Sequence, residues 1–248
     1  QLVRAGAFDR LFASFDRALR DQGFLAMGGQ IVAATVVEAR RPRRSKGEKE
    51  TLRDGSVPAD WSPARRAQID TEGRWTIKRG RKRRPPPGEA AQRVPDAIAV
   101  PMFGYKNHIA IDRAHGFVRR FTVTDAARHD GSQLGALVES DNLAASVWAD
   151  TAYRSKANLR LLDRRGLVPQ FQRPKPRGKP MPAHIARGNA TRSRVRAHVE
   201  HVFAAEKRRF NLVVRTVGLD RAFAKIALAN LAYNFTRLAW IERRTAPA

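Results

Sequence analysis

Two acidic residues could carry chemistry in this sequence. Asp150 directly follows the apolar run Val147-Trp148-Ala149. That order puts a carboxylate at the carboxyl end of a strand, where open α/β sheets place their ligands. The plainer reading of the same residue is a cap for the next turn. Glu200 lies in a helical stretch, with Arg196 four residues earlier and Lys207 seven residues later. At 3.6 residues per turn these three share one face, flanked by Arg192 and Arg208. Val195, Val199, Val202 and Phe203 form the neighbouring apolar stripe. Taken alone, an Arg–Glu pair four residues apart reads as an ordinary surface salt bridge. Two distant carboxylates in a very basic chain suggest phosphodiester cleavage by two divalent ions held roughly 3.5–4 Å apart. Mg²⁺ suits such oxygen ligands, with Mn²⁺ as a substitute. A site of this kind needs a third carboxylate, which spacing alone does not supply.

Those residues stand in a chain of 248 residues with 42% hydrophobic content, enough for one large domain or one domain with an appendage. Lys and Arg total 48 against 23 Asp and Glu, a net charge of +25. Such an imbalance self-repels and calls for a polyanionic partner. Cysteine is absent, which excludes disulfides, thiolate zinc sites and Cys nucleophiles. No apolar run reaches membrane-spanning length and no signal peptide is visible, so a cytoplasmic location is expected. The first residue is Gln1 rather than Met, so a longer N-terminus is expected.

The elements that must position the two acids can be read in order. Residues 2–26 read as a helix, with Leu2, Ala5, Phe8, Leu11, Phe12, Phe15 and Leu19 spaced by three and four. The β-branched stretch 30–39 reads as a strand buried on both faces. Residues 40–100 form a basic insertion. It is rich in Arg40, Arg41, Arg43 and Arg44, then Lys78, Arg79, Arg81, Lys82, Arg83 and Arg84, and poor in aliphatic side chains. It is expected to order in part on DNA. Trp75 within it is expected either to stack on an unstacked base or to anchor the segment as core. Residues 105–112 and 117–123 read as a hairpin, 130–138 as a short helix, 144–149 as a strand, 155–164 as a helix capped by Ser155, and 167–171 as a strand. Residues 173–188 read as loop, 189–209 as a long helix and 221–244 as a last helix. Paired strands followed by alternating strands and helices imply an α/β fold with a mixed sheet flanked by helices, compatible with a ribonuclease-H-like domain. The expected division is a helical N-terminal segment (1–29), a catalytic domain (30–39 and 101–213), the insertion, and a C-terminal helix (214–248).

Three stretches resemble the DDE transposases of bacterial insertion sequences, in the insertion-sequence-five group. They are Ile31 to Ala39; Gly104-Tyr105-Lys106-Asn107-His108 through Thr124-Asp125-Ala126 to Val147-Trp148-Ala149-Asp150-Thr151-Ala152-Tyr153; and Arg196 to Phe203 with Lys207. The closing helix, with Leu228-Ala229-Asn230-Leu231 and Asn234, is similar too. The resemblance covers nearly all of residues 25–240. It implies a ribonuclease-H-like fold with an Asp, Asp, Glu triad, in which Asp150 is the second acid and Glu200 the third, both metal ligands. It implies that Arg196, Lys207 and Tyr153 contact DNA. Where the family often has Tyr three residues before that Arg, this chain has Ser193. The larger departure is at the first acid. The family's strand reads Val-Asp-Ala-Thr, and this chain reads Val32-Ala33-Ala34-Thr35. Ala33 stands where the shared metal ligand belongs, which implies a catalytically inactive chain. The intact remainder of the motif set favours deliberate replacement over decay.

The resemblance further implies double-stranded DNA partners, namely the terminal inverted repeats of a transposon and target DNA, and a homodimer holding two ends. The family chemistry is hydrolysis at the transposon end followed by strand transfer from the freed 3′-hydroxyl. A non-catalytic DNA-binding protein such as a repressor fits the composition equally well. A nuclease of the same fold is a further alternative.

Overall fold

The computed structural model describes residues 1–54, 56–81 and 97–245. The helix α1 (Ala7–Asp21) is shorter than the 2–26 pattern suggests. Its Phe12 and Leu19 are buried, and Phe15 packs edge-on against Phe235 at 4.6 Å. The strand β1 (Gln30–Glu38) follows a pair of glycines with positive φ, Gly28 and Gly29. A Cβ on Gly29 would collide with the Trp148 ring at 2.4 Å, so the approach to the sheet requires glycine there.

The basic segment is more ordered than its composition implies. It holds α2 (Lys46–Arg53), α3 (Pro63–Gln68) and the strand β2 (Arg74–Arg81). The reason is a set of local polar anchors rather than a core. Ser45 and Glu48 close a capping box at the start of α2. The buried Trp61 donates Nε1–H to Glu48 Oε1 at 2.7 Å. The buried Asp70 accepts the Tyr105 hydroxyl and a guanidinium of Arg44 donates to the Asp70 carbonyl. Lys82, Arg83 and Arg84 lie outside the described residues.

Next come β3 (Ala97–Asp112) and β4 (Val118–Asp125), joined by a turn in which Asp112 accepts the N–H groups of His115 and Phe117. The strand β3 starts before the hairpin pattern does, because its first half pairs with β2 instead of β4. Then follow α4 (Leu134–Leu137), β5 (Ser146–Ala149), α5 (Lys156–Arg164) and β6 (Val168–Phe171). Ser155 caps α5 as expected, its Oγ accepting Asn158 N–H at 3.1 Å. The helix α6 (Ala183–Ala204) begins inside the stretch read as loop, since Pro182 occupies the N-cap and Gly188 is accommodated in the helix. It ends in a single π-turn over Ala205–Arg209. The helix α7 (Leu219–Thr245) closes the chain.

The sheet has six strands in the order β2-β3-β1-β5-β6, with β4 also on β3. β1 runs antiparallel to β3 and parallel to β5, and β5 is parallel to β6. Along β1 the side chains alternate between two cores. Ile31 and Ala33 join Val199, Val202 and Phe203 of α6, while Val32 joins Val147, Ala149 and Leu162 on the opposite face. Helices therefore cover both faces, as a mixed α/β sheet requires. No helix among the described residues is long and apolar enough to cross a membrane.

Candidate active site

Strand register brings the first two positions together. Gln30 pairs with Val147 and Ile31 with Trp148 in the parallel ladder. Carried on by two residues, the register sets Ala33 beside Asp150. Trp148 packs on the α6 side while Val147 and Ala149 face away. Strand alternation therefore turns Asp150 toward the same side as Ala33. Asp150 Oδ1 accepts Ala152 N–H at 2.8 Å, so the capping role and the strand-end position coexist in one residue.

Glu200, the residue expected as third acid, comes from α6. Val199, Val202 and Phe203 bury the helix against Ile31 and Ala33, and Glu200 sits at the border of that face with its side chain 62% exposed. Arg196 Nη2 lies 3.5 Å from Glu200 Oε1, the expected four-residue pair. Lys207 lies beyond the regular part of the helix, still within electrostatic reach of Glu200. The π-turn after Ala204 advances the chain by more than 3.6 residues per turn, and Lys207 Nζ instead donates to Thr35 Oγ1 of β1 at 2.7 Å. Burial and the nearby Lys78 lower the Lys207 pKa, partly offset by Glu206, Glu200 and Glu38. Lys207 and Lys78 share a cavity of about 310 Å³ with Val36, Glu38 and Met102.

Sequence reasoning missed what holds the π-turn. Glu206 is fully buried, and its Oε1 accepts Asn107 Nδ2–H of β3 at 2.8 Å. Asn107 also donates to Asn230 Oδ1 of α7 at 2.9 Å. Burial pushes the Glu206 carboxyl up to about 7, with Asn107 and Lys207 opposing the shift. A buried amide on a strand and another on a helix are the only sequence signal of this network.

Tyr153 is corrected from a DNA contact to an internal residue. The residue is 1% exposed, and its hydroxyl has no hydrogen-bond partner among the described residues. Burial raises its pKa, as do Asp130 and Asp150, while Arg196 opposes them. That places the hydroxyl within electrostatic reach of both Asp150 and Arg196. Arg196 Nε and Arg192 Nε are also buried without partners. Ser193, at the departing position, instead accepts Gln172 Nε2–H at 2.5 Å.

The predicted DNA-contacting residues separate into two sets. Arg40, Arg41 and Arg43 line an open cavity of about 500 Å³ with Arg215, which sequence reasoning did not single out. Trp75 is half-exposed, with Arg41 over its ring at 5.6 Å and Phe103 beneath it. The core anchor of the segment is Trp61, not Trp75. Arg44 is not available as a free cation, since it bonds the Asp70 carbonyl and lies over Phe103.

A six-stranded mixed sheet flanked by helices is consistent with a DDE domain. The chain belongs to the family of the transposase DDE domain, which matches residues 102–235, more than half of the chain. It is also similar to the transposase for insertion sequence element IS1106 of Neisseria meningitidis serogroup B. The identity is 23% over 250 residues, covering 100% of this chain and 77% of that protein. No solved structure gives a significant match.

DDE domains generally use divalent metals, and the residues here can be tested against that need. Position 33 offers a methyl group, Asp150 engages one oxygen in a cap, and Glu200 faces Arg196. Among the described residues no three His, Cys, Asp or Glu side chains come together as a metal site. The residues present therefore do not fit a Mg²⁺ or Mn²⁺ pair.

Proposed function

We propose that this chain is a transposase of the insertion-sequence-five group, with a ribonuclease-H-like core, that binds transposon ends and target duplex. Its cleavage centre is disabled at Ala33. The observation that carries the reading is the parallel β1–β5 register, which, carried on by two residues, sets Ala33 level with Asp150, with Ala33 packed under the helix that bears Glu200. Those three positions are where the resemblance sets the triad, and two of the three still carry carboxylates. The chain's own residues supply the remaining functions. Arg196 and Lys207 orient the scissile strand, and the cations from Arg40 to Arg43 with Arg215 grip flanking phosphates. Positioning and charge neutralisation are what this protein offers to the reaction. Holding two ends calls for a homodimer, with the faces of α1 and α7 as its candidate contacts.

Paired assays of this chain and its Ala33→Asp variant test the proposal, using DNA carrying the element's ends and Mg²⁺. Cleavage by the variant alone supports it. Equal cleavage by both would falsify the assignment of position 33. Tight end binding with no cleavage by either favours the second reading, a DNA-binding repressor derived from the same fold.

A further inference from the structure

The pairing of β2 leaves one part of the molecule unexplained by the cleavage centre. β1 pairs with β3 from Gly104 to Asp112, and β4 pairs with it from Tyr105 to Ile111. From Ala97 to Phe103, the ladder partner of β3 is β2. The result is a two-stranded ribbon of eight paired positions, Arg74↔Gly104 to Arg81↔Ala97, running out from the sheet. At about 3.4 Å per residue it is roughly 24 Å long.

Its surface is unusual for a ribbon in water. Ile77 is 66% exposed, Trp75 48% and Val100 44%. Arg74, Lys78, Arg79 and Arg81 lie on β2, and neither strand carries an acid along the ribbon. Isolated two-stranded ribbons are marginal, and exposed apolar side chains on one mark a surface that something covers. The exposed Arg74 and Lys78 oppose edge pairing with a second copy. The same cations beside apolar side chains suit duplex DNA, whose phosphates flank a groove displaying thymine methyl groups. The major groove is about 12 Å wide and admits two strands lying some 4.8 Å apart.

Building on the DNA-binding reading above, we infer that the β2–β3 ribbon enters the major groove of duplex DNA and reads its sequence. Register and strand alternation put Arg74, Thr76, Lys78 and Val100 on one face of the ribbon and Trp75 and Ile77 on the other; on the first face Thr76 and Val100 contact base edges, and Arg74 and Lys78 contact phosphates. Arg41, over the Trp75 ring, ties the ribbon to the Arg40–Arg43 cavity. Sequence choice then lies in the ribbon, and general affinity in the arginine cavity.

The test is selection from a pool of short random-sequence duplexes by the full chain and by a Thr76→Ala/Val100→Ala variant. The chain is expected to enrich one motif. The variant is expected to retain random duplex within about threefold while its discrimination falls roughly tenfold or more. Methylation interference on the enriched duplex, using the unaltered chain, reads the groove directly whether or not the variant folds. Blockage at guanine N7 is expected, and blockage only at adenine N3 overturns the inference. An unchanged motif in the variant, or no motif for the chain, also overturns it. Failure of the chain to retain any duplex overturns the DNA-binding reading and the ribbon's role with it.

Discussion

The acidic centre and the basic segment between β1 and β3 are built on opposite principles. Around Ala33 the backbone elements are fixed by burial: two cores clasp β1, and α6 is locked by Val199, Val202 and Phe203. From Arg40 to Arg81 the order comes from a few polar pairs, with Trp61 as a lone buried aromatic anchor and cations over most of the surface. Function is correspondingly concentrated in one region and distributed in the other. On the proposed function, one missing carboxylate disables the centre because no neighbour can replace a ligand at a fixed point. No single cation is indispensable to a surface that holds a polyanion. A chain can therefore lose its chemistry and keep its grip.

The largest effect follows at the centre itself. Changing a residue that merely orients a metal ligand costs 10- to 100-fold, so supplying a missing ligand should exceed that. We expect Ala33→Asp to raise cleavage of end DNA by more than roughly 100-fold, and Asp150→Asn added to it to abolish the gain. End affinity, measured in parallel, should stay constant across all three proteins. A large affinity change on restoring Asp would break the division between the two regions.

Stability should show the same contrast. Arg119 is buried, with Nε on Asp112 at 2.9 Å, Nη1 on Asp16 at 2.7 Å and Nη2 on the Phe24 carbonyl at 2.7 Å. It ties α1 to the β3–β4 turn. Arg119→Met leaves the buried Asp112 without its arginine and Asp16 with Arg20 alone, and should cost about 3–5 kcal/mol in urea unfolding. Arg65 pairs with Glu48 at 2.5 Å on the exposed basic segment, and Arg65→Ala should cost under about 1 kcal/mol. Similar costs for both would show that the segment is as tightly built as the core.

Periodicity revealed what burial fixes. β1, the turn at Asp112, the capped α5 and α7 all follow from apolar spacing and local caps, and so does the placement of Asp150 and Glu200. What escaped depends on partners distant in sequence. The order of the basic segment rests on Asp70 meeting Tyr105, 35 residues away. The π-turn that redirects Lys207 rests on Asn107 meeting Glu206, 99 residues away. Arg215 lies alone between Val214 and Thr216 and gains meaning only when folding sets it beside Arg40. Tyr153 was misplaced because a motif shows which residues adjoin a site, not which of them are inside the protein.

The buried Glu206 gives a smaller, pH-dependent effect. Its pKa rises from 4.5 to about 7 in the fold, so the folded state holds a proton that the unfolded chain has released. Stability is then lost as pH climbs from about 4.5 through 7. His108 acts in reverse: burial lowers it to about 4 from 6.5, so its contribution is lost as pH falls through that window. Glu206→Gln removes the first effect and leaves the second. Its stability gain should be absent at pH 4, grow through the window and level off on the order of 3 kcal/mol above pH 7. A gain independent of pH would mean that Glu206 titrates normally and that the π-turn is held by packing alone.

The smallest effect belongs to the distributed region, and its form matters more than its size. Arg40, Arg43 and Arg215 share one cavity and are exposed. If each meets one phosphate, replacing any one with Ala should weaken binding to every duplex alike. It should also reduce the slope of log affinity against log salt by about 0.9. Three replacements should subtract nearly three times that slope, because contacts to separate phosphates release separate counterions. Equal loss of affinity with an unchanged slope would mean that the arginines shape the cavity without touching the backbone. Loss on one sequence but not another would move sequence reading from the ribbon to this cavity.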